Sequence, residues 1–183
     1  MICLDEIGFS TALDRLYGYA PKGQRLVDFV PYGHWKTTTF LGGLTTRGFI
    51  APMVLDGPMN GDAFKAYIEQ VLTPECRPGD LVILDNLPAH KTAAVRDTFE
   101  RCRIRYLYLP PYSPDFNPIE NAFSKLKRLV RTAAERTVDG LWSAIGRLID
   151  RFRPTECRNY FRHCGYDATI VEVSSKQGQS IRS

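Results

Sequence analysis

The sequence predicts an α/β layer sandwich on a mixed sheet. Three observations carry this: the order of strand-like and helix-like segments, a buried-strand run that ends in an acid at LVILD (residues 81–85), and a late amphipathic stripe at helical spacing. In such sheets, sites collect at the carboxyl ends of strands.

Taken in order, MICLD opens with a short apolar run. RLVDFV, KTTTFLGGLT and FIAPMVL follow, rich in β-branched and aromatic residues and separated by turns such as PYG and TTRG. These read as strands, the later ones as an antiparallel meander. From Asn60 the period changes. Phe64, Tyr67, Ile68, Val71 and Leu72 recur at helical spacing, with Asn60 as N-cap and Pro74 beyond the end. LVILD has the continuous apolar character of a central strand whose tip carries Asp85. KTAAVRDTFERC reads as a helix and IRYLYL as a strand. After a proline-rich loop, Ile119, Phe123, Leu126 and Val130 step by four, three and four, the buried stripe of a helix. VDGLWSAIGRLIDRF and residues 155–166 read as two more helices, and 167–183 as a frayed tail. Two acids, Asp5 and Asp85, are expected at strand ends.

A chain of 183 residues suits one domain with a substantial core. Hydrophobic residues at 44% and charged at 24% exclude disordered and fibrous classes. No apolar run approaches the ~20 residues of a membrane span, and MICLDE has no basic segment leading into an apolar one, so the chain is expected to stay where it is made, in the cytoplasm. Five cysteines, with no C-x-x-C spacing, point to free thiols in a reducing compartment. Cys157, His163 and Cys164 lie close in sequence but lack a fourth zinc ligand at metal spacing. Charge is uneven. Residues 1–100 carry 9 Lys or Arg against 12 Asp or Glu, whereas residues 101–183 carry 15 against 8, which makes the second half the side for a polyanion.

The stretch PPYSPDFNPIEN, residues 110–121, holds four prolines and ends on Glu120 and Asn121. Prolines fix φ and lower unfolded-state entropy, so the loop arrives pre-set. Asn117 suits the N-cap of the next helix and Pro118 its first position. Glu120 then falls in the first turn, where the helix dipole favours an acid by about 0.3–1 kcal/mol. Asn117-x-x-Glu120 also has the form of a capping box, and Asp85-Asn86 that of an Asx turn.

LDE at 4–6, LDN at 84–86 with His90 after it, and PPYSPDFNPIEN together resemble the signature of mariner-type DDE transposases in their bacterial insertion-sequence branch. Asp85 and Glu120 have 34 residues between them, the interval of that family. The resemblance runs from Met1 to about Arg131. It implies an RNase H-like fold over residues 1–166, a mixed five-stranded sheet flanked by helices, with Asp5, Asp85 and Glu120 as catalytic metal ligands. It also implies two Mg²⁺ or Mn²⁺ ions, and cleavage and joining of DNA at transposon ends and TA target sites by a homodimer near the bacterial nucleoid. A helix-turn-helix module before the first catalytic strand is expected in that family. Here the chain begins four residues before Asp5, so end-specific recognition is expected from elsewhere. Tyr19 stands where relatives usually show Trp.

The chemistry gives a reason for three acids. Two bare carboxylates about 4 Å apart repel by roughly 4 kcal/mol at an effective dielectric near 20, and divalent cations reverse the sign. Around them, Asn86 and Asn121 are candidate second supports for the cations, or ordinary surface hydrogen-bonders. His90 stands either beside the scissile phosphate or at the next helix cap. Glu6 should point away from Asp5 if its strand continues. Lys125, Lys127, Arg128 and Arg131 gather cations near Glu120 for DNA phosphates, against a solvated basic face. Tyr106, Tyr108 and Trp142 fit the sheet face and core better than base stacking. A stand-alone RNase H-like nuclease and a non-catalytic DNA-binding remnant are the alternative functions.

Overall fold

A computed structural model describes residues 1–11, 18–27 and 36–166. Its sheet has five strands in the order β3-β2-β1-β4-β5. β1 (Ile2–Ser10), β2 (Thr37–Thr45) and β3 (Gly48–Asp56) form the antiparallel meander, while β4 (Leu81–Leu84) and β5 (Arg105–Tyr108) add in parallel beside β1. Within RLVDFV, residues 25–27 lie outside any strand and 28–30 lie outside the described residues, as does the tail 167–183.

The helices are α1 (Gly61–Tyr67), α2 (Thr73–Glu75), α3 (Ala93–Arg101), α4 (Pro118–Ala133), α5 (Val138–Ile149) and α6 (Pro154–His163). Asn60 caps α1 as expected, its side chain accepting from Ala63 N–H at 2.9 Å. Pro74 does not lie beyond the helix. A π-helical stretch, Ile68–Leu72, carries α1 into α2 and places Pro74 in the final turn. The wider turn takes the ring, and the Thr73 hydroxyl donates back to the Ile68 carbonyl at 2.5 Å.

Alternation along β1 divides the core into two layers. Cys3, Ile7 and Phe9 face α4, α5 and α6, packing with Phe40, Ile119, Phe123, Leu126, Ile145 and Phe161. Ile2 and Leu4 face α1 and α3, with Phe64, Tyr67, Val82, Val95 and Phe99. The predicted stripe Ile119, Phe123, Leu126 and Val130 is fully buried and fixes the roll of α4 on the sheet. Tyr106 stacks on Phe99, and the Trp142 indole donates to Thr38 Oγ1, so both belong to the packed body.

Candidate active site

Asp5 lies in mid-strand, not at the strand end expected from MICLD. β1 continues to Ser10 because β2 stays paired with it as far as Ser10↔Thr37. What ends near Asp5 is the parallel pairing to β4, whose last partners are Leu4↔Leu84. Asp5 and Asp85 are therefore the next residues on adjacent strands, which run about 4.8 Å apart. The carboxyl edge of that pairing is where the site begins.

Asp5 is buried at 6% exposure. Its Oδ1 accepts from Glu6 N–H at 2.7 Å and its Oδ2 from the Asn117 side-chain amide at 2.9 Å. Burial raises its pKa to about 7; the Glu6 N–H opposes this, and the negative charges of Asp85, Glu120 and Glu6 add to it. Two segments distant in sequence, beside its own strand, thus act on one carboxyl group.

Asn117 occupies the N-cap position of α4, but its side chain makes no capping hydrogen bond. The amide goes to Asp5, and burial at 4% exposure leaves it little else to reach. The helix start rests instead on Pro118, which has no N–H to satisfy, and on Glu120 N–H donating to the Asn117 carbonyl at 3.1 Å. Glu120 itself is exposed in the first turn.

Asp85 follows the last residue of β4. Its Oδ1 accepts from Leu87 N–H at 3.2 Å and faces His90 Nδ1 at 2.7 Å. The other ring nitrogen, Nε2, faces Glu6 Oε2 at 3.1 Å. The cap of α3 is Thr92, accepting from Val95 N–H at 3.3 Å, and not His90, which lies against Asp85. His90 is 2% exposed, its ring stacks on Phe64 with centroids 4.5 Å apart, and its carbonyl accepts from the Tyr108 hydroxyl at 2.6 Å. Burial lowers its pKa, but the hydrogen bonds to the Asp85 and Glu6 carboxylates prevail and carry it up to about 9. Glu6 does leave on the opposite face from Asp5, as alternation requires. Sequence reasoning missed that the Pro88–Lys91 turn brings His90 to meet it.

An open cleft of about 500 Å³ has Asp85, Asn86, Lys91, Pro111, Asn117 and Glu120 on its walls. Asn86 Oδ1 is buried without a hydrogen-bond partner. Asn121, by contrast, turns its amide to Cys164 Sγ at 3.8 Å. The expected cation cluster also divides. Lys125 is held by Glu156 at 2.6 Å and lies 4.5 Å over the Phe152 ring, so its charge is already matched. Lys127 and Arg128 are exposed, and Arg131 is half-buried with an Nε that finds no partner. Elsewhere Arg101 pairs with Glu69.

Among the described residues no group of three His, Cys, Asp or Glu side chains is drawn together tightly enough to hold an ion, and this includes Cys157, His163 and Cys164. Asp5 and Asp85 are instead held by Asn117 and His90, as expected of carboxylates that repel across a shared edge. The donor set nevertheless fits a hard divalent cation. It consists of carboxylate oxygens, one of them buried and disfavoured in its charged form by its neighbours, a condition a cation would relieve.

Residues 1–141 match the family model described as DDE superfamily endonuclease. No curated protein matches the chain. Among solved structures, the Mos1 transposase paired-end complex with left transposon end superposes with a TM-score of 0.72 at 19% identity, over 99% of this chain and 56% of that one. The Mos1 mariner paired-end complex with Mn gives 0.69 at 18% identity over 99% and 56%. The catalytic domain of Mos1 mariner transposase gives 0.64 at 19% identity over 96% and 78%. The likeness is one of fold, RNase H-like, and the chain spans little more than half the length of the paired-end-complex chains.

Proposed function

The chain belongs to the DDE superfamily endonuclease family, and from that premise we propose that residues 1–166 form the catalytic domain of a DNA transposase, with 167–183 as a tail. Asp5, Asp85 and Glu120 would hold two divalent ions, Mg²⁺ or Mn²⁺. When bound, such ions activate the attacking oxygen and steady the leaving one in an in-line phosphoryl transfer. The observation that carries this reading is geometric: Asp5 and Asp85 directly follow the last β1–β4 partners, Leu4↔Leu84, and Asp85 and Glu120 line one cleft with Asn117, whose amide holds Asp5.

The chain's own groups have distinct tasks in this reading. Glu6 N–H and the Asn117 amide each orient one oxygen of Asp5. His90 and Leu87 N–H fix one oxygen of Asp85. Asn86 offers a buried, unpartnered acceptor in support, whereas Asn121 is engaged with Cys164. Lys127 and Arg128 are the cations available to DNA phosphates, with Arg131 beside them and Lys125 already matched by Glu156. The substrates are the transposon ends and a TA target, handled by a homodimer. The source is a bacterial insertion sequence, and the setting is the nucleoid in the cytoplasm. Among the described residues no helix is long and apolar enough to cross a membrane.

Isothermal titration with Mn²⁺ tests the reading. Binding is expected in the parent protein and is expected to be lost in Asp85→Asn and Glu120→Gln; a parent that binds no Mn²⁺ refutes it. A gel assay for joined products separates a transposase from a nuclease that only cuts.

A further inference from the structure

Asp85 has no ladder to aim it. β4 ends at Leu84, and both groups that hold the carboxylate, Leu87 N–H and His90 Nδ1, belong to the turn that follows. The aim of Asp85 therefore depends on the aim of the His90 ring as well as on the Leu87 N–H. Two features restrain that ring. Phe64 covers its face at 4.5 Å, and the Tyr108 hydroxyl grips its carbonyl at 2.6 Å. Neither distinguishes the observed ring from one flipped by 180° about its Cβ–Cγ bond, in which carbon would replace nitrogen opposite both carboxylates. Apart from Asp85 itself, the residue that does so is Glu6, whose Oε2 lies 3.1 Å from Nε2.

We propose that Glu6 is a positioning residue for Asp85, acting through the imidazole of His90. This inference rests on the reading of Asp85 as a cation ligand. Only a ring nitrogen can share a hydrogen bond with a carboxylate, so the observed ring places a nitrogen opposite each of the two and the flipped ring places neither. Glu6 is suited to anchor it, being set in the middle of β1 and paired across to Leu41 of β2. His90, on a short turn, has no such support of its own. The same strand thus carries Asp5 directly and governs Asp85 at one remove. An exposed Glu–His pair would contribute little. Here the histidine is 2% exposed and the contact spans 84 residues, so the link ties the turn to the sheet.

The experiment compares Glu6→Ala, Glu6→Gln, His90→Ala and the Glu6→Ala/His90→Ala double variant. Three readouts are taken: thermal melting for the fold, ¹⁵N chemical shifts of the His90 ring without metal, and Mn²⁺ calorimetry. Removing a residue that orients a metal ligand typically costs 10–100-fold in affinity. Glu6→Ala is expected to weaken Mn²⁺ about 10-fold in the parent and to add nothing once His90 is gone. Glu6→Gln, which keeps an acceptor oxygen, is expected to lose less, and it serves if Glu6→Ala fails to fold. The ¹⁵N shifts of the ring are expected to move in Glu6→Ala, where the Nε2 contact is lost. An equal loss with and without His90, or unchanged affinity and ring shifts, overturns the proposal while leaving Asp85 as a ligand. If the parent binds no Mn²⁺, the function proposed above fails, and the ring shifts alone decide whether Glu6 holds His90.

Discussion

Replacing Asp5 by Asn should reverse in effect between acid and alkaline pH. In the folded protein the Asp5 carboxyl has its pKa raised from an ordinary 3.8 to about 7, chiefly by burial. Between those values the native state keeps a proton that the unfolded chain releases, so stability falls as pH rises through the window. At 1.36 kcal/mol per pH unit, ionised Asp5 costs the metal-free fold about 4 kcal/mol at pH 8. Asn removes that cost. It also turns an N–H toward either the Glu6 N–H or the Asn117 amide, both of which donate to Asp5, and one buried donor left unmet costs about 1–3 kcal/mol. The net expectation at pH 8 is a variant more stable than the parent by about 2 kcal/mol, or about 4–8 °C in Tm for a chain of this size. At pH 4 the parent is protonated, only the unmet donor remains, and the variant should be less stable by about 1–3 kcal/mol. His90, with its pKa raised from 6.5 to about 9, contributes stability that fades over that higher window. It does so in both proteins and cancels in the difference. Calorimetric melts in metal-free buffer from pH 4 to 8 supply the test, and difference curves that never cross would refute the account of a desolvated carboxyl.

Asn117→Ala leaves Asp5 Oδ2 without its amide donor; we expect a loss of about 1–3 kcal/mol in urea unfolding at pH 8, with the pH window of Asp5 displaced upward. Truncating Lys127 or Arg128 should lower the salt slope of DNA binding by about 0.9 each, whereas Lys125→Ala, which unpairs Glu156, should leave that slope unchanged and lower Tm.

Local pattern was a good guide wherever an element's own residues decide it. The α4 stripe from Ile119 to Val130, the run 81–84 and the Asn60 cap all lie where spacing puts them. It failed where a side chain had two local grammars. Asn117 reads as a cap by position, and only the docking of α4 on β1 shows that its amide is spent 112 residues away on Asp5. Glu6 points off the face of Asp5, as alternation says, but no spacing rule tells that a turn 84 residues on returns a histidine to it. Lys125 reads as one of a basic group until α6 brings Glu156 against it. Pro74 looks like a terminator because a π-helical turn has no signal in composition. For Asn117, Glu6 and Lys125 the deciding partner is remote in the chain, and local pattern carries no information about it.

The β1–β4 register, which ends at Leu4↔Leu84, also bears on how the protein comes into being. Residues 5, 85 and 120 leave the ribosome in that order, far apart, and the amide that steadies the first emerges 112 residues after it. A nascent or nicked chain therefore offers scattered carboxylates of no special cation preference. If these residues hold cations as proposed, competence should arrive only when α4 seats against β1 and brings Asn117 to Asp5.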